Sequence, residues 1–204
     1  MPEIRPYRPA DRDALYDICV RTADAGADAR GHYSNDDLMG DLFAVPYAHL
    51  EPDMAFVVDD GHGRAVGYIV GTTDTAAFVR RYAAKWTPSA GRKYGDDERD
   101  REMLRLLHHP EHMLVAELAD YPAHLHMNLL PGFQRRGYGR ALMERFLAAA
   151  DAAGAAKVWL GMLTVNVNAR AFYDRLGFAE LQVKDPEPLT YLGRTTDVNE
   201  QRSR

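Results

Sequence analysis

The chain has 204 residues, of which 46% are hydrophobic and 27% charged, with a formal net charge of −5. That length fits one generous domain with a substantial core, and the acidic balance excludes a global basic field that would recruit nucleic acid. A single cysteine, Cys19, excludes an intramolecular disulfide and fits a reducing compartment. The N-terminus carries no apolar stretch behind its basic residues, and no apolar run approaches the ~20 residues of a spanning helix, so a soluble, cytoplasmic protein without a membrane partner is expected.

In chain order, residues 4–7 predict a short strand. Pro9-Ala10-Asp11 predicts a helix start, with Asp11 able to accept from an orphan backbone N–H, and Leu15, Ile18, Cys19 and Thr22 follow on one helical face. Residues 23–32, rich in Ala, Asp and Gly, predict a mobile connection, and 35–43 a second short helix. The apolar runs 54–58 and 65–71, joined by Asp59-Asp60-Gly61-His62-Gly63, predict an antiparallel hairpin. Residues 73–120 differ: two helical pieces, 75–86 and 98–108, flank Pro88, Gly91 and Gly95. They predict an insertion over one sheet face, serving either as a packing appendage or as an acceptor-site lid. Residues 123–130 predict a strand, 139–152 a helix, 157–163 a strand and 168–176 a short helix stopped by Gly177. A hairpin of 178–183 with 190–192 follows. The chain is thus one domain over 1–194, with 195–204 expected as a flexible tail.

Chemistry concentrates where the strand ends. Gln134-Arg135-Arg136-Gly137-Tyr138-Gly139-Arg140 opens a helix, and glycines at 137 and 139 remove side chains where backbone N–H groups must approach a ligand. The first turn of a helix leaves such groups unpaired and its dipole favours an anion, so this segment predicts a diphosphate cradle flanked by three arginines. It has neither the P-loop nor the GxGxxG spacing. Alone, the glycines also fit tight strand-to-helix packing.

With Leu129-Leu130-Pro131 ahead of it, this segment resembles the signature of the GNAT acetyltransferase superfamily. Asn166, Ala169, Phe172-Tyr173 and Gly177-Phe178 are similar to the family's later motif. The resemblance covers about 4–178, apart from most of the insertion. It implies an α/β fold whose mixed, mostly antiparallel sheet splits where the strand at 123–131 leaves its neighbour at 157–163. More narrowly, 121–131 and 72–78 resemble bacterial relatives of the C-terminal acetyltransferase-like domain of eukaryotic O-GlcNAcase. That domain is regarded as a pseudo-acetyltransferase; the intact glycine signature argues that this chain still binds acetyl-CoA.

The resemblance further implies roles. Leu129 and Leu130 offer backbone groups to the pantetheine arm. Gln134, Arg135, Arg136, Gly137, Tyr138, Gly139 and Arg140 hold the pyrophosphate. Asn168 and Phe172 line the adenine or pantetheine side, and Tyr173 protonates the departing thiolate. Tyr173 also reads as a buried aromatic anchor.

Acyl transfer by direct attack needs a neutral amine, hence a base. Strand alternation places His124, His126 and Asn128 on one face. His126 and Glu117 are the candidate bases and Asp120 a weaker one, although each also reads as a structural polar residue. Asn128 stands where the narrower resemblance implies an acid. His108, His109 and His112 lack metal-ligand spacing, because Pro110 interrupts the helix that would align them, and no metal is expected. The expected activity is acetyl-CoA-dependent N-acetylation of an amine acceptor, a small molecule or a protein. The alternative is a cofactor-binding pseudoenzyme acting as a binding module. A homodimer is left open.

Overall fold

A computed structural model describes residues 1–197. Its centre is a seven-stranded sheet in the order β1-β2-β3-β4-β5-β7-β6, comprising β1 (Glu3–Pro6), β2 (Ala55–Asp59), β3 (Ala65–Thr72), β4 (Ala123–Leu129), β5 (Lys157–Leu163), β6 (Ala179–Glu180) and β7 (Leu189–Thr195). Every neighbouring pair is antiparallel except β4 and β5, so the expected mixed, mostly antiparallel sheet is present. A parallel pair needs a crossover, and α7 (Tyr138–Ala152) supplies it. The β4–β5 ladder is confined to Ala123↔Val158 and His124↔Trp159. Beyond those pairs the strands part, leaving a splay between residues 125–129 and 160–163.

The C-terminal hairpin differs from its sequence reading. β6 pairs with β7 only at Ala179↔Gly193 and Glu180↔Leu192. β7 is longer than expected because its other edge pairs with β5 along the whole of Lys157–Leu163. Thr195 closes that ladder, and Thr196 bonds the carbonyls of Ala155 and Ala156; residues 198–204 of the expected tail lie outside the described residues.

Each sheet face has its own helical layer. Helices α1 (Arg12–Val20), α2 (Asp37–Phe43) and α3 (Val45–Leu50) cover one, and α7 covers the other. Leu15, Ile18 and Cys19 on α1 and Leu142 and Phe146 on α7 are buried, matching their helical spacing. Gly71 of β3 lets α7 lie this close: a Cβ there would meet the His124 carbonyl oxygen at 2.3 Å and Phe146 Cζ at 2.6 Å.

The insertion is anchored rather than loosely draped. Asp74 caps α4 (Thr75–Arg81) by accepting from the Ala77 N–H at 2.8 Å. The helix continues through a π turn at Tyr82–Trp86 into α5 (Thr87–Ala90), and α6 (Arg101–His108) follows. Phe78, Tyr82, Trp86 and Leu107 join the main core. The fully buried carboxylate of Asp41 on α2 accepts from the Tyr16 hydroxyl, from Lys93 Nζ at 2.8 Å and from the Tyr94 hydroxyl at 2.6 Å. Its backbone carbonyl accepts from Tyr82 and Trp86. Asp100, also fully buried, accepts both the backbone N–H and the hydroxyl of Ser34. Buried polar groups persist only when paired, so these two carboxylates stitch the insertion to the α1–α2 side.

Asp11 accepts a backbone N–H at the helix entry as predicted, that of Arg8, in the short 3-10 turn Pro9–Asp11 that leads into α1. Its carboxylate also takes two bonds from Arg5 on β1, pairing that buried guanidinium. The connection at 23–32 is knitted by reciprocal bonds between Asp24 and Ala27 and by the Ala29 N–H donating to Val20.

Candidate active site

The turn before α7 has the main-chain form of an anion cradle. Arg135 has φ 59° and Gly137 φ 88°, both left-handed, and such turns direct successive N–H groups into a concavity. Among the described residues, the N–H groups of Arg135, Arg136 and Gly137 make no hydrogen bond. The first helical turn leaves those of Tyr138, Gly139 and Arg140 without intrahelical acceptors, and α7 closes its first bond from Ala141 to Gly137. The glycines serve different ends. A Cβ on Gly137 would meet nothing within 4 Å, so the backbone angle demands glycine there, whereas a Cβ on Gly139 would sit 3.2 Å from Phe172 Cζ. Gly139 therefore seats α8 (Val167–Arg175) against the start of α7. Arg135, Arg136 and Arg140 are exposed. Gln134 is exposed as well, but its amide Nε2 is engaged, donating to the Leu129 carbonyl at 2.9 Å.

The cradle opens beside the splay. The Leu130 N–H donates to Val66 of β3, so by alternation the N–H and carbonyl groups of Met127 and Leu129 face away from β3, into the gap. On α8, Tyr173 is buried between Phe172 and Phe178, with ring centroids 5.2 and 5.4 Å away. Its hydroxyl makes no hydrogen bond among the described residues but is not sealed from solvent. Burial raises its pKa, keeping the phenol protonated at neutral pH. Asn166 caps α8 by accepting from the Ala169 N–H, and Asn168 is exposed on that helix.

On the α1–α3 face, three β4 residues point as alternation predicts. Asn128 donates to Thr22. His124 is buried, stacked on Trp159 at 4.9 Å, with Nδ1 2.8 Å from Thr75 Oγ and Nε2 2.9 Å from the Tyr47 hydroxyl. His126 is half-buried between Phe43 and Tyr47, its Nε2 3.1 Å from the same hydroxyl. Burial pushes His126 down to about 4 and His124 well below its ordinary value, so both imidazoles are neutral at pH 7.

Glu117 is exposed, accepts from the Lys184 N–H at 3.1 Å, and has no hydrogen bond to the histidine pair. Asp120 is exposed. His108 packs on Gly91, where a Cβ would meet its ring at 2.4 Å. Among the described residues no cluster of three or more His, Cys, Asp or Glu is arranged to hold a metal ion, and no helix is long and apolar enough to cross a membrane. Sequence reasoning did not single out Tyr47 and Thr75, which bond the histidine pair, or Met113, whose Sδ lies against the Tyr47 hydroxyl. They come from α3 and from both ends of the insertion, and no local motif marks them.

The model of the acetyltransferase (GNAT) family matches residues 15–178. The chain belongs to that family. It is an acyltransferase by that membership, and one solved relative fits it along nearly its whole length. The crystal structure of SsHAT is 56% identical, superimposes with a TM-score of 0.91 and is matched over 96% of this chain and 98% of that one. Rat Protein O-GlcNAcase is 27% identical over 94% of this GNAT chain, which spans only 22% of that protein's length. The yncA protein of Salmonella typhimurium, solved with its cofactor acetyl-CoA, shares the fold at a TM-score of 0.57 and 16% identity, covering 97% of this chain and 95% of its own.

Proposed function

We propose that this chain transfers an acetyl group from acetyl-CoA to an amine. The observation that carries the reading is the meeting of an anion cradle at residues 135–140 with a splay whose β4 edge offers unpaired main-chain groups. The free N–H groups and the three exposed guanidiniums suit a pyrophosphate. The Met127 and Leu129 edge suits an extended amide-bearing arm, which would pair with it as an added strand. Gln134 supports the site by holding the strand end, rather than by charge.

His126, neutral at pH 7, takes the proton of the acceptor amine. The amine nitrogen attacks the thioester carbonyl carbon, the N–C bond forms, and the developing oxyanion is met by a main-chain N–H of the β4 edge. As the C–S bond breaks, the Tyr173 hydroxyl gives its proton to the departing sulfur. No covalent enzyme intermediate is needed, and the buried Cys19, whose thiol is pushed up to about 11 by burial, is no nucleophile. Glu117 has no part in this scheme.

The test is thiol release from acetyl-CoA across a panel of primary amines, small and peptidic. Amine-dependent release that His126→Ala abolishes supports the reading. Tight binding with no release from any amine would reduce the chain to a cofactor-binding module.

A further inference from the structure

The histidine pair is wired in one direction, and the direction can be read from the only member that cannot donate. The Pro122 carbonyl lies 2.9 Å from Thr75 Oγ. Two oxygens that close require a proton between them, so the Thr75 hydroxyl donates to Pro122. Its oxygen is then the acceptor for His124, which must carry its proton on Nδ1, 2.8 Å away. His124 Nε2 is consequently a bare lone pair, and the Tyr47 hydroxyl donates into it across 2.9 Å. Tyr47 has spent its one proton, so its oxygen accepts from His126, whose Nε2 stands 3.1 Å away and must be protonated. The reverse direction would leave the Thr75–Pro122 contact without a proton and press two oxygens together. It would also put the His126 proton on Nδ1, where it has no acceptor among the described residues.

We infer that Pro122, Thr75, His124 and Tyr47 form a polar chain that locks His126 in the Nε2–H tautomer and makes its Nδ1 the nitrogen that receives the acceptor's proton. The inference rests on the reading of His126 as the base and adds which nitrogen acts and what holds it. Tyr47 is the positioning residue, since its oxygen fixes the ring and stays on the Nε2–H when Nδ1 gains its proton. The chain also gives the insertion a task at the site. Its first helix supplies Thr75, and its far end lays Met113 Sδ 3.5 Å from the Tyr47 hydroxyl; that sulfur is a weak acceptor that competes poorly with the His124 lone pair for the one Tyr47 proton.

The test is long-range ¹H–¹⁵N correlation of the imidazole nitrogens in the whole ¹⁵N-histidine-labelled protein near neutral pH, assigned by the loss of signals in His126→Gln and His124→Asn. The expected pattern is Nε2–H with a bare Nδ1 for His126, and Nδ1–H with a bare Nε2 for His124. Tyr47→Phe keeps the ring stacked on Phe78, 4.4 Å away, and should let the His126 signals move toward tautomer-averaged values. It should also lower kcat about 10- to 100-fold, with acetyl-CoA affinity unchanged. Thr75→Val, which removes the acceptor of the His124 proton together with the hydroxyl's bond to Pro122, gives the same readout on His124 should Tyr47→Phe fail to fold. A wild-type His126 protonated on Nδ1, or a Tyr47→Phe protein with unaltered signals and unaltered kcat, overturns the inference. If His126→Gln keeps full turnover, it is the assignment of the base that fails, while the spectra still decide the direction of the chain.

Discussion

The side chain of Gln134 donates to the backbone carbonyl of Leu129 at 2.9 Å, tying the cradle to the strand edge beside it. The bond fixes where the turn leaves the sheet, and it occupies the Leu129 carbonyl while leaving the Leu129 N–H open to the splay.

Gln134→Ala should therefore weaken acetyl-CoA binding about fivefold while leaving kcat near the parent value, since one such hydrogen bond contributes about 1 kcal/mol. Parallel KM and kcat determinations check this. A loss confined to kcat would move Gln134 from positioning the donor to the chemistry itself.

Tyr173→Phe keeps the ring between Phe172 and Phe178 and removes only the unpartnered hydroxyl. Turnover should fall by about 100-fold or more, the usual contribution of a positioned acid, with acetyl-CoA affinity unchanged. Equal turnover under rate-limiting chemistry would leave Tyr173 an aromatic anchor. Collapse of affinity would make it a binding residue.

Stability should drop on mild acidification. The folded pKa of His126 is lowered from 6.5 to about 4 and that of His124 lies well below its ordinary value, both by burial, with His112 also lowered. The unfolded chain therefore takes up these protons first, and the fold loses stability as pH falls from about 6.5 toward 4. Asp59, held low by Arg5 and two backbone N–H groups, adds its loss only at more acid pH. Denaturant midpoints at about pH 7.5 and about pH 5 should differ clearly in the parent, and less so in His126→Gln. Identical pH slopes in the two proteins would show that His126 carries none of the effect.

Asp41→Asn should loosen the insertion. It removes a buried charge that Lys93 and two tyrosine hydroxyls share, at about 3 kcal/mol. The expected result is a lower denaturant midpoint with new protease cuts inside 73–120. Unchanged stability and protection would mean that Asp100 and the aromatic contacts anchor the segment without it.

How much of this was legible beforehand divides along a physical line. Local patterns carried their elements: β5 came out at 157–163 as read, and the Gln134–Arg140 turn opened α7 one residue before the expected start. The alternation of His124, His126 and Asn128 also held, because strand geometry leaves no choice of face. Long-range pairings were not legible. Nothing near Thr190 announces that β7 lies against β5, and nothing in Val45-Pro46-Tyr47 announces a helix whose tyrosine reaches two histidines nearly eighty positions away. Asp11 was legible in part: its bond from the Arg8 N–H is local, while its pairing with Arg5 is not, since that buried arginine sits on a different element.

The central claim is that acetyl-CoA binds with its pyrophosphate on the main chain of residues 135–140. Isothermal titration of acetyl-CoA into the parent and into Gly137→Asp tests it most directly. At Gly137 the left-handed φ of 88° disfavours any side chain and a carboxylate would add like charge at the start of α7. The account predicts saturable binding to the parent and at least about a 100-fold weaker affinity in a folded Gly137→Asp. Binding of equal strength in both proteins, or no binding to either, would contradict it.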